Sequence, residues 1–319
     1  MKILIYGPGI IGSTYGWQLS QAGHEITVLV RKGQKQLIEK NGIDINCADF
    51  RGNKKQMIRT IFRPAVIEDL SQQNGFEFII VSVNNVQLKE VLPVLSKGVG
   101  EAHILFFQNN WDDFDDIDKY FATEQYFFGF PFMVGGGRDG NTVNSVISGL
   151  KQSCTMLGEK NGVITARLKK MADALRDANL KPIISNQIIP WLITHYAVAA
   201  GLSAGAMKAG GSMKTFSGDR TLLRESFMSI REGFEVCRRR GIHPKKIKSN
   251  TFYTLPLFFS IPIARKIFGT EVLSMMFEGH IKHAPEEMKK MIQDIIDEGE
   301  RYNIRMPFLQ DYRKIFMER

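Results

Sequence analysis

Three glycines near the start of the chain stand at a spacing that suits the approach of phosphate groups. Gly7, Gly9 and Gly12 form a G-x-G-x-x-G pattern directly after an apolar run. In this pattern the first glycine allows a tight turn, the second leaves room for a pyrophosphate, and the third lets a helix pack closely on a strand. The backbone N–H groups of Ile10 and Ile11, at the start of that helix, would donate to the phosphates. The segment therefore predicts a dinucleotide site, and the alternative is a glycine-rich turn that binds no nucleotide.

Two basic residues follow the second predicted strand, where the adenosine ribose of a bound dinucleotide would lie. An acidic side chain there would accept a hydrogen bond from the ribose 2′-hydroxyl of NAD. The chain has Arg31 and Lys32 instead, and an arginine can bind a phosphate through two parallel hydrogen bonds. The pair therefore favours NADP as the cofactor, and the alternative is a solvated basic turn.

The residues around these motifs predict the elements that must position them. Residues 2–6 and 25–30 indicate two strands on either side of a helix, which is the context that the glycine pattern requires. Further apolar runs indicate strands of a parallel sheet buried on both faces, at 76–83, 103–107, 126–130 and 181–185. A glycine-rich turn at 135–140 lies between stretches suited to antiparallel pairing, so we expect a mixed edge on the sheet.

Beyond residue 186 the apolar residues recur at helical spacing and no strand is evident. Helices are predicted at 191–207, 222–239, 286–302 and 309–317. The first of these is apolar nearly all round, which places it at the centre of its domain. We therefore predict an α/β fold in which an N-terminal Rossmann dinucleotide-binding domain, residues 1–185, precedes an all-helical C-terminal domain, residues 186–319.

Composition and charge narrow the class of protein. The chain has 319 residues, of which 44% are hydrophobic and 24% charged, as is usual for a protein of two domains. Its net charge of +9 is densest at 238–248, where no aromatic residues interleave, so no nucleic-acid partner is expected. No apolar run is convincing as a membrane span, and the first strand leaves no room for a signal peptide. We therefore expect a cytoplasmic protein without a membrane partner.

The residues that commonly bind metals show no suitable spacing. Cys47, Cys154 and Cys237 are far apart and odd in number, which argues against a disulfide framework and against a metal site. His280 and His283 share one helical turn, but no third ligand lies at a compatible spacing. We therefore expect no metal ion.

Further short motifs follow the glycine pattern in a defined order. They are Arg31 after the second strand, 81–87, 108–109, 136–141, Trp191 at the start of the central helix, 240–242 and 302–307. With this order and spacing the chain resembles the ketopantoate reductase (2-dehydropantoate 2-reductase) family over almost its full length. The resemblance implies a Rossmann domain and a helical domain with the active site in the cleft between them. It also implies reduction of a 2-oxo acid with hydride from NADPH.

The resemblance assigns roles to single residues. Asn109 matches the family asparagine near the nicotinamide and the substrate, and Asn84 stands where a lysine usually follows a strand, which assigns it to the cofactor site. Counting back from Pro307 places the substrate-binding glutamate of the family on Glu287, with Glu286 as the alternative. Each glutamate could instead be an exposed first-turn residue that favours the helix dipole, and Asn109 could be a turn residue.

The chain departs from the family on its central helix. The proton-donating lysine of the family falls on Ile193, and two family asparagines fall on Ala197 and Gly201. An apolar side chain can neither protonate an alkoxide nor stabilise its charge. His195 is a candidate general acid because histidine titrates near neutrality, although it could equally be a core histidine. A shifted alignment would offer Lys208 instead.

These residues lead to one main hypothesis and two alternatives. The main hypothesis is an NADP-dependent oxidoreductase that transfers hydride to or from a small carbonyl or hydroxyl substrate other than ketopantoate. An anionic substrate and a homodimer are both compatible with the sequence. One alternative is a non-catalytic NADP-binding regulatory protein. The other is a true 2-dehydropantoate 2-reductase with a relocated proton donor.

Overall fold

The computed structural model describes residues 1–112, 114–283 and 285–317, without the side chains of 280, 282, 283, 316 and 317. The chain divides into two compact units. The first unit comprises Met1–Gln108 and Asp112–Ile188, and the second comprises Asn109–Trp111 and Ile189–Arg319. The short segment Asn109–Trp111 therefore leaves the first unit to join the second, which the periodicity of the sequence does not indicate.

The first unit contains two sheets. Its strands are β1 (Lys2–Tyr6), β2 (Glu25–Leu29), β3 (Ile43–Asp49), β4 (Gln56–Phe62), β5 (Ala65–Ile67), β6 (Phe78–Val81), β7 (His103–Phe106), β8 (Tyr126–Phe130), β9 (Val134–Asp139), β10 (Thr142–Ile147), β11 (Thr155–Gly158) and β12 (Pro182–Ile184). The larger sheet has the order β12-β11-β8-β7-β6-β1-β2-β5, and the smaller has the order β4-β3-β10-β9.

The larger sheet is the predicted Rossmann sheet. β1 pairs in parallel with β2 on one side and with β6 on the other. Ile3, Leu4 and Ile5 of β1 are all fully buried, because a central parallel strand is covered on both faces. The expected mixed edge is present, since β11 runs antiparallel to β8.

The smaller sheet differs from the sequence-based expectation. The glycine run at 135–140 lies mostly inside β9, which pairs with β10 as an antiparallel hairpin of this second sheet. Gly136 has φ +125°, and a side chain there would come 2.2 Å from the Asn144 carbonyl oxygen. Close backbone approach, rather than a turn, therefore accounts for a glycine at this position.

The helices follow in chain order, and the first five belong to the first unit. They are α1 (Ile10–Gln21), α2 (Lys35–Asn41), α3 (Asn85–Gly98), α4 (Phe114–Asp118), α5 (Ala166–Asp177), α6 (Ile188–Lys208), α7 (Met213–Gly218), α8 (Arg220–Arg239), α9 (Thr251–Thr254), α10 (Leu257–Phe268), α11 (Glu271–His283), α12 (Pro285–Arg301) and α13 (Pro307–Met317). Among its described residues the second unit contains helices and no strand, as predicted.

Helix α6 is the central helix of the second unit. Within the described chain it is the helix that is long and apolar enough to cross a membrane by length and composition, yet 78% of its most apolar window is buried inside the protein. It packs against α8, which is amphipathic and begins at Asp219, whose carboxylate accepts hydrogen bonds from the N–H groups of Thr221 and Leu222. Burial of α6 by its neighbours therefore explains its apolar surface.

Candidate functional site

The glycine-rich segment forms the turn from β1 into α1, and each glycine has a local reason to be there. Gly7 has φ +88°, and a Cβ at this residue would lie 2.6 Å from Val83 Cγ1. A Cβ on Gly12 would come 2.7 Å from Ile5 Cγ2, so this glycine lets α1 approach β1 closely. Gly9 has a negative φ, and a Cβ there would meet nothing within 4 Å. The space in front of Gly9 is therefore open, as a cradle for a pyrophosphate requires.

The N-terminus of α1 is free of internal anions. Gly9 caps the helix without a side-chain hydrogen bond, and its first turn holds no acidic residue. The backbone N–H groups of Ile10 and Ile11 donate to no residue that the structure describes. Because an unpaired helix N-terminus carries partial positive charge, this end of α1 suits a bound anion. The arrangement fits the pyrophosphate of a dinucleotide.

The turn after β2 carries charges of both signs. Arg31 and Lys32 are exposed there, and neither forms an ion pair with a described residue. Glu68 follows β5, the strand that pairs with β2, and its Oε1 accepts a hydrogen bond from the Lys35 N–H at 3.0 Å. This hydrogen bond holds the pKa of the Glu68 carboxyl below its usual range. The sequence analysis missed Glu68 because only the order of the strands brings it to this turn.

Two amide side chains lie where β6 and β7 end. The Gln108 Nε2 group donates to the carbonyl oxygens of Val81 at 2.7 Å and Val83 at 3.3 Å. Asn84 is exposed and precedes α3 as its N-cap, without a side-chain hydrogen bond. Asn85 is buried, and its amide atoms have no hydrogen-bond partner among the described residues. Gln108 therefore fixes the ends of two adjacent strands beside the glycine-rich turn.

The second unit brings together two residues that the family resemblance selected. Asn109 Nδ2 donates to Glu287 Oε1 at 3.0 Å. Glu287 is 5% exposed, whereas Glu286 is exposed. Asn109 Oδ1 is buried and has no hydrogen-bond partner in the described part of the chain. The geometry therefore favours Glu287 over Glu286, with Asn109 held by its carboxylate.

Contacts to Trp111 hold the Asn109–Trp111 segment on the second unit. Arg240 Nη2 donates to the Trp111 carbonyl oxygen at 3.0 Å, and its guanidinium lies 4.6 Å from the centre of the Trp111 ring. The Tyr196 ring also packs against the Trp111 ring, at a centroid distance of 5.4 Å. Cation–π and aromatic contacts of this kind stabilise a buried segment. They position Asn109, and the sequence analysis did not assign this role to Trp111 or Arg240.

The positions of the missing lysine and asparagines form a packing face of α6. Ile193 is 3% exposed and Ala197 is 1% exposed. A Cβ on Gly201 would lie 2.6 Å from Ile230 Cγ1 of α8. Because residues four apart share a helix face, these three positions form one stripe of small and apolar groups. The stripe has no room for the polar groups of the family pattern.

His195 lies on the same helix but in different surroundings. Its ring stacks on Trp191 with a centroid distance of 4.8 Å and an interplanar angle of 5°. Burial lowers the pKa of His195 to about 4, so the imidazole is neutral at pH 7. Lys208, the other candidate, forms an ion pair with Glu225 at 2.7 Å. Neither His195 nor Lys208 therefore provides a free cation at the position of the family lysine, which is Ile193 in this chain.

The residues that commonly bind metals form no centre in the described chain. No group of three or more His, Cys, Asp or Glu residues could hold an ion there. The side chains of His280 and His283 lie outside the described residues. All three cysteines are buried and unpaired by disulfides.

The chain is similar to proteins of known family. Residues 3–159 match the family model described as ketopantoate reductase PanE/ApbA. The chain is 23% identical over 189 residues to the uncharacterized oxidoreductase YkpB of Bacillus subtilis, covering 59% of this chain and 58% of that protein, less than two thirds of its length. It is also 23% identical over 244 residues to 2-dehydropantoate 2-reductase of Pyrococcus abyssi, covering 76% and 75%.

Solved structures share the fold over the whole chain. A ternary structure of D-mandelate dehydrogenase with NADH and anilino(oxo)acetate superposes with a TM-score of 0.79 at 17% identity, covering 100% of this chain and 97% of that one. A 2-dehydropantoate 2-reductase from Geobacter metallireducens gives 0.79 at 14% identity, covering 100% and 99%. At such low identity these superpositions establish the Rossmann and helical architecture.

Proposed function

Because the chain belongs to the ketopantoate reductase PanE/ApbA family through its residues 3–159, we propose that it transfers hydride between NADP and a small carbonyl or hydroxyl compound other than ketopantoate. The observation that carries this proposal is the open N-terminus of α1. Gly9 leaves space in front of it, and the N–H groups of Ile10 and Ile11 have no acceptor among the described residues. A dinucleotide pyrophosphate supplies the acceptors that this end of the helix lacks.

The residues of the chain divide the work of binding and orientation. When bound, the nicotinamide ring supplies or accepts the hydride. Gln108 holds the ends of β6 and β7 in place, which fixes the floor beside the glycine-rich turn. Asn109 is oriented by its hydrogen bond to Glu287, and its Oδ1 is a buried acceptor without a partner in the described chain, which suits a donating amide or hydroxyl group. Glu287 thereby acts as a positioning residue for Asn109.

Support for NADP comes from the turn after β2. Arg31 and Lys32 are exposed, without an ion pair to a described residue, and suit a 2′-phosphate. Glu68 opposes the binding of a 2′-phosphate, because its hydrogen bond from the Lys35 N–H holds a negative charge at the same turn. D-mandelate dehydrogenase, which shares the fold, is bound to NADH. We therefore propose a preference for NADP that Glu68 keeps moderate.

The proposed substrate differs from ketopantoate because α6 lacks the groups that would polarise its carbonyl. Ile193, Ala197 and Gly201 are packed against neighbouring side chains. His195 is neutral at pH 7 because burial lowers its pKa to about 4, so it does not provide a positive charge. A substrate with a more reactive carbonyl, such as an aldehyde, needs less stabilisation of its alkoxide.

The test is a turnover screen with purified protein. Loss of NADPH absorbance is followed with a panel of 2-oxo acids, aldehydes and ketones that includes ketopantoate, and the reverse reaction is run with NADP and the matching alcohols. We expect one class to turn over at an ordinary enzymatic rate and ketopantoate to give at most a trace. An ordinary enzyme turns over about ten times per second. Turnover of ketopantoate at about that rate would refute the substrate assignment.

The packing of α6 also favours a second candidate function. A protein that binds NADP without catalysis needs no proton donor, and the stripe of Ile193, Ala197 and Gly201 provides none. Tight NADPH binding without turnover of any substrate in the panel would support this regulatory function over the oxidoreductase.

A further inference from the structure

Arg138 reaches the glycine-rich turn from a different sheet. It lies near the end of β9, opposite Val143 of β10 in the hairpin. Its Nη1 group donates to the Pro8 carbonyl oxygen at 3.2 Å, and its Nε group donates to the Gly140 carbonyl oxygen at 3.1 Å. Pro8 stands between the first two glycines of the pattern, so the guanidinium is fixed against the segment that starts α1.

The guanidinium has no counter-ion in the described chain. Arg138 is half-buried and forms no ion pair there, and Asp139, next to it in the strand, points to the opposite face. Burial lowers the pKa of Arg138 below its usual value, which reflects the cost of a partly desolvated charge. Its Nη2 group donates to no described residue. Of the five N–H bonds of the guanidinium, three therefore remain for an acceptor from outside the chain, two on Nη2 and one on Nη1.

The surroundings make this cation unfavourable unless an anion binds. The positive end of the α1 dipole lies at Gly9, Ile10 and Ile11, and the first turn of α1 holds no acidic residue. A positive charge held near a helix N-terminus is repelled by it. A bound anion removes this repulsion and uses both sets of donors at once.

We propose that Arg138 is a binding residue for the cofactor pyrophosphate, delivered to the glycine-rich turn by the β9–β10 hairpin. This proposal rests on the proposed dinucleotide site. Arg138 therefore serves NADH and NADPH alike, because both carry the pyrophosphate. Arg31 and Lys32, in contrast, serve the 2′-phosphate that only NADPH carries.

The experiment measures binding of NADH, NADPH and ADP-ribose by calorimetry at low and high salt. The variants are Arg138→Gln, which removes the charge, Arg138→Lys, which keeps the charge without the fork, and the control Arg59→Gln on β4 of the same sheet. Arg59 is exposed and forms no ion pair with a described residue. We expect Arg138→Gln to weaken all three ligands by the same factor, about tenfold, and to flatten the salt dependence. The ratio of NADPH to NADH affinity stays unchanged.

Each outcome decides between the proposals. Wild-type affinity and salt dependence in Arg138→Gln would overturn the pyrophosphate role, and so would a loss confined to NADPH. If Arg138→Gln does not fold, Arg138→Lys decides, because it should bind all three ligands several-fold more weakly. If the wild-type protein binds none of the three, the dinucleotide site itself is wrong, which separates that failure from a failure of the Arg138 assignment.

Discussion

His195 shows how surroundings set the chemistry of one side chain. By type alone histidine is a candidate proton donor at neutral pH. On α6 it stacks on Trp191, and burial lowers its pKa to about 4. A general acid that starts as a cation is therefore not available from this residue at pH 7. The same reasoning applies to Glu68, whose charge is stabilised by a backbone N–H.

The pKa of His195 predicts a dependence of stability on pH. The native pKa of about 4 lies below the usual 6.5, so the unfolded chain binds the additional proton between these values. The free energy of unfolding should therefore fall as pH falls from about 6.5 to about 4, by at most about 3 kcal/mol. Urea unfolding of the wild type and of His195→Asn measures it, with the exposed His243→Asn as control. Identical pH profiles for all three proteins would contradict the burial of His195.

Glu68 and Arg31 predict opposite changes in cofactor preference. Glu68→Gln keeps an acceptor for the Lys35 N–H but removes the negative charge, so NADPH should bind several-fold more tightly while NADH changes little. Arg31→Ala should weaken NADPH about tenfold, or about 1.4 kcal/mol, and leave NADH unaffected. Fluorescence titration of both cofactors gives the ratios, and Glu25→Gln is an exposed control. Equal NADPH affinity in all variants would exclude this turn as the 2′-phosphate site.

At the scale of elements, the contact between α6 and α8 decides what α6 can carry. Gly201 faces Ile230 and Ser229 at distances that leave no room for a Cβ. A Cβ on Gly233 of α8 would likewise lie only 2.8 Å from the Ala197 Cβ. Small residues on both helices therefore bring the two backbones together, and the stripe that is polar in the family becomes an interhelical contact.

This contact predicts the effect of a single methyl group. Gly201→Ala should lower the free energy of unfolding by about 1–2 kcal/mol, because overpacking outweighs the gain in helix propensity. Gly218→Ala is the matched control, since a Cβ at the end of α7 meets nothing within 4 Å, and it should be neutral or stabilising. Chemical unfolding of both variants provides the comparison. Equal stabilisation of the two would show that α6 and α8 are further apart.

At the scale of the whole molecule, cofactor binding and stability are linked. A ligand that binds only the native state at a hundred times its Kd adds about 2.7 kcal/mol to the free energy of unfolding. NADPH should therefore raise the Tm of the wild type. Gly9→Val should keep a similar Tm without ligand, because the space at Gly9 is open and its φ is negative, but lose the shift with NADPH. A full shift in the folded variant would rule out the glycine-rich turn as the binding site.

The sequence by itself determined the elements whose signals are local. The strand-glycine-helix segment, the apolar strands of the larger sheet and the amphipathic helices of the second unit all follow from spacing within a few residues. The three glycines could be assigned separate functions because each function depends on the immediate backbone. The departure at Ile193 was also visible, since it needs only the identity of one residue.

Only the tertiary structure decided which distant residues meet. Strand order brings Glu68 to the turn after β2, the second sheet brings Arg138 to Pro8, and the contacts of Trp111 carry Asn109 to Glu287. None of these pairs shares a local pattern, because their contacts depend on packing between elements far apart in the chain. Burial has the same origin: whether His195 is charged, and whether position 201 has room for a side chain, depends on neighbours that the sequence does not place.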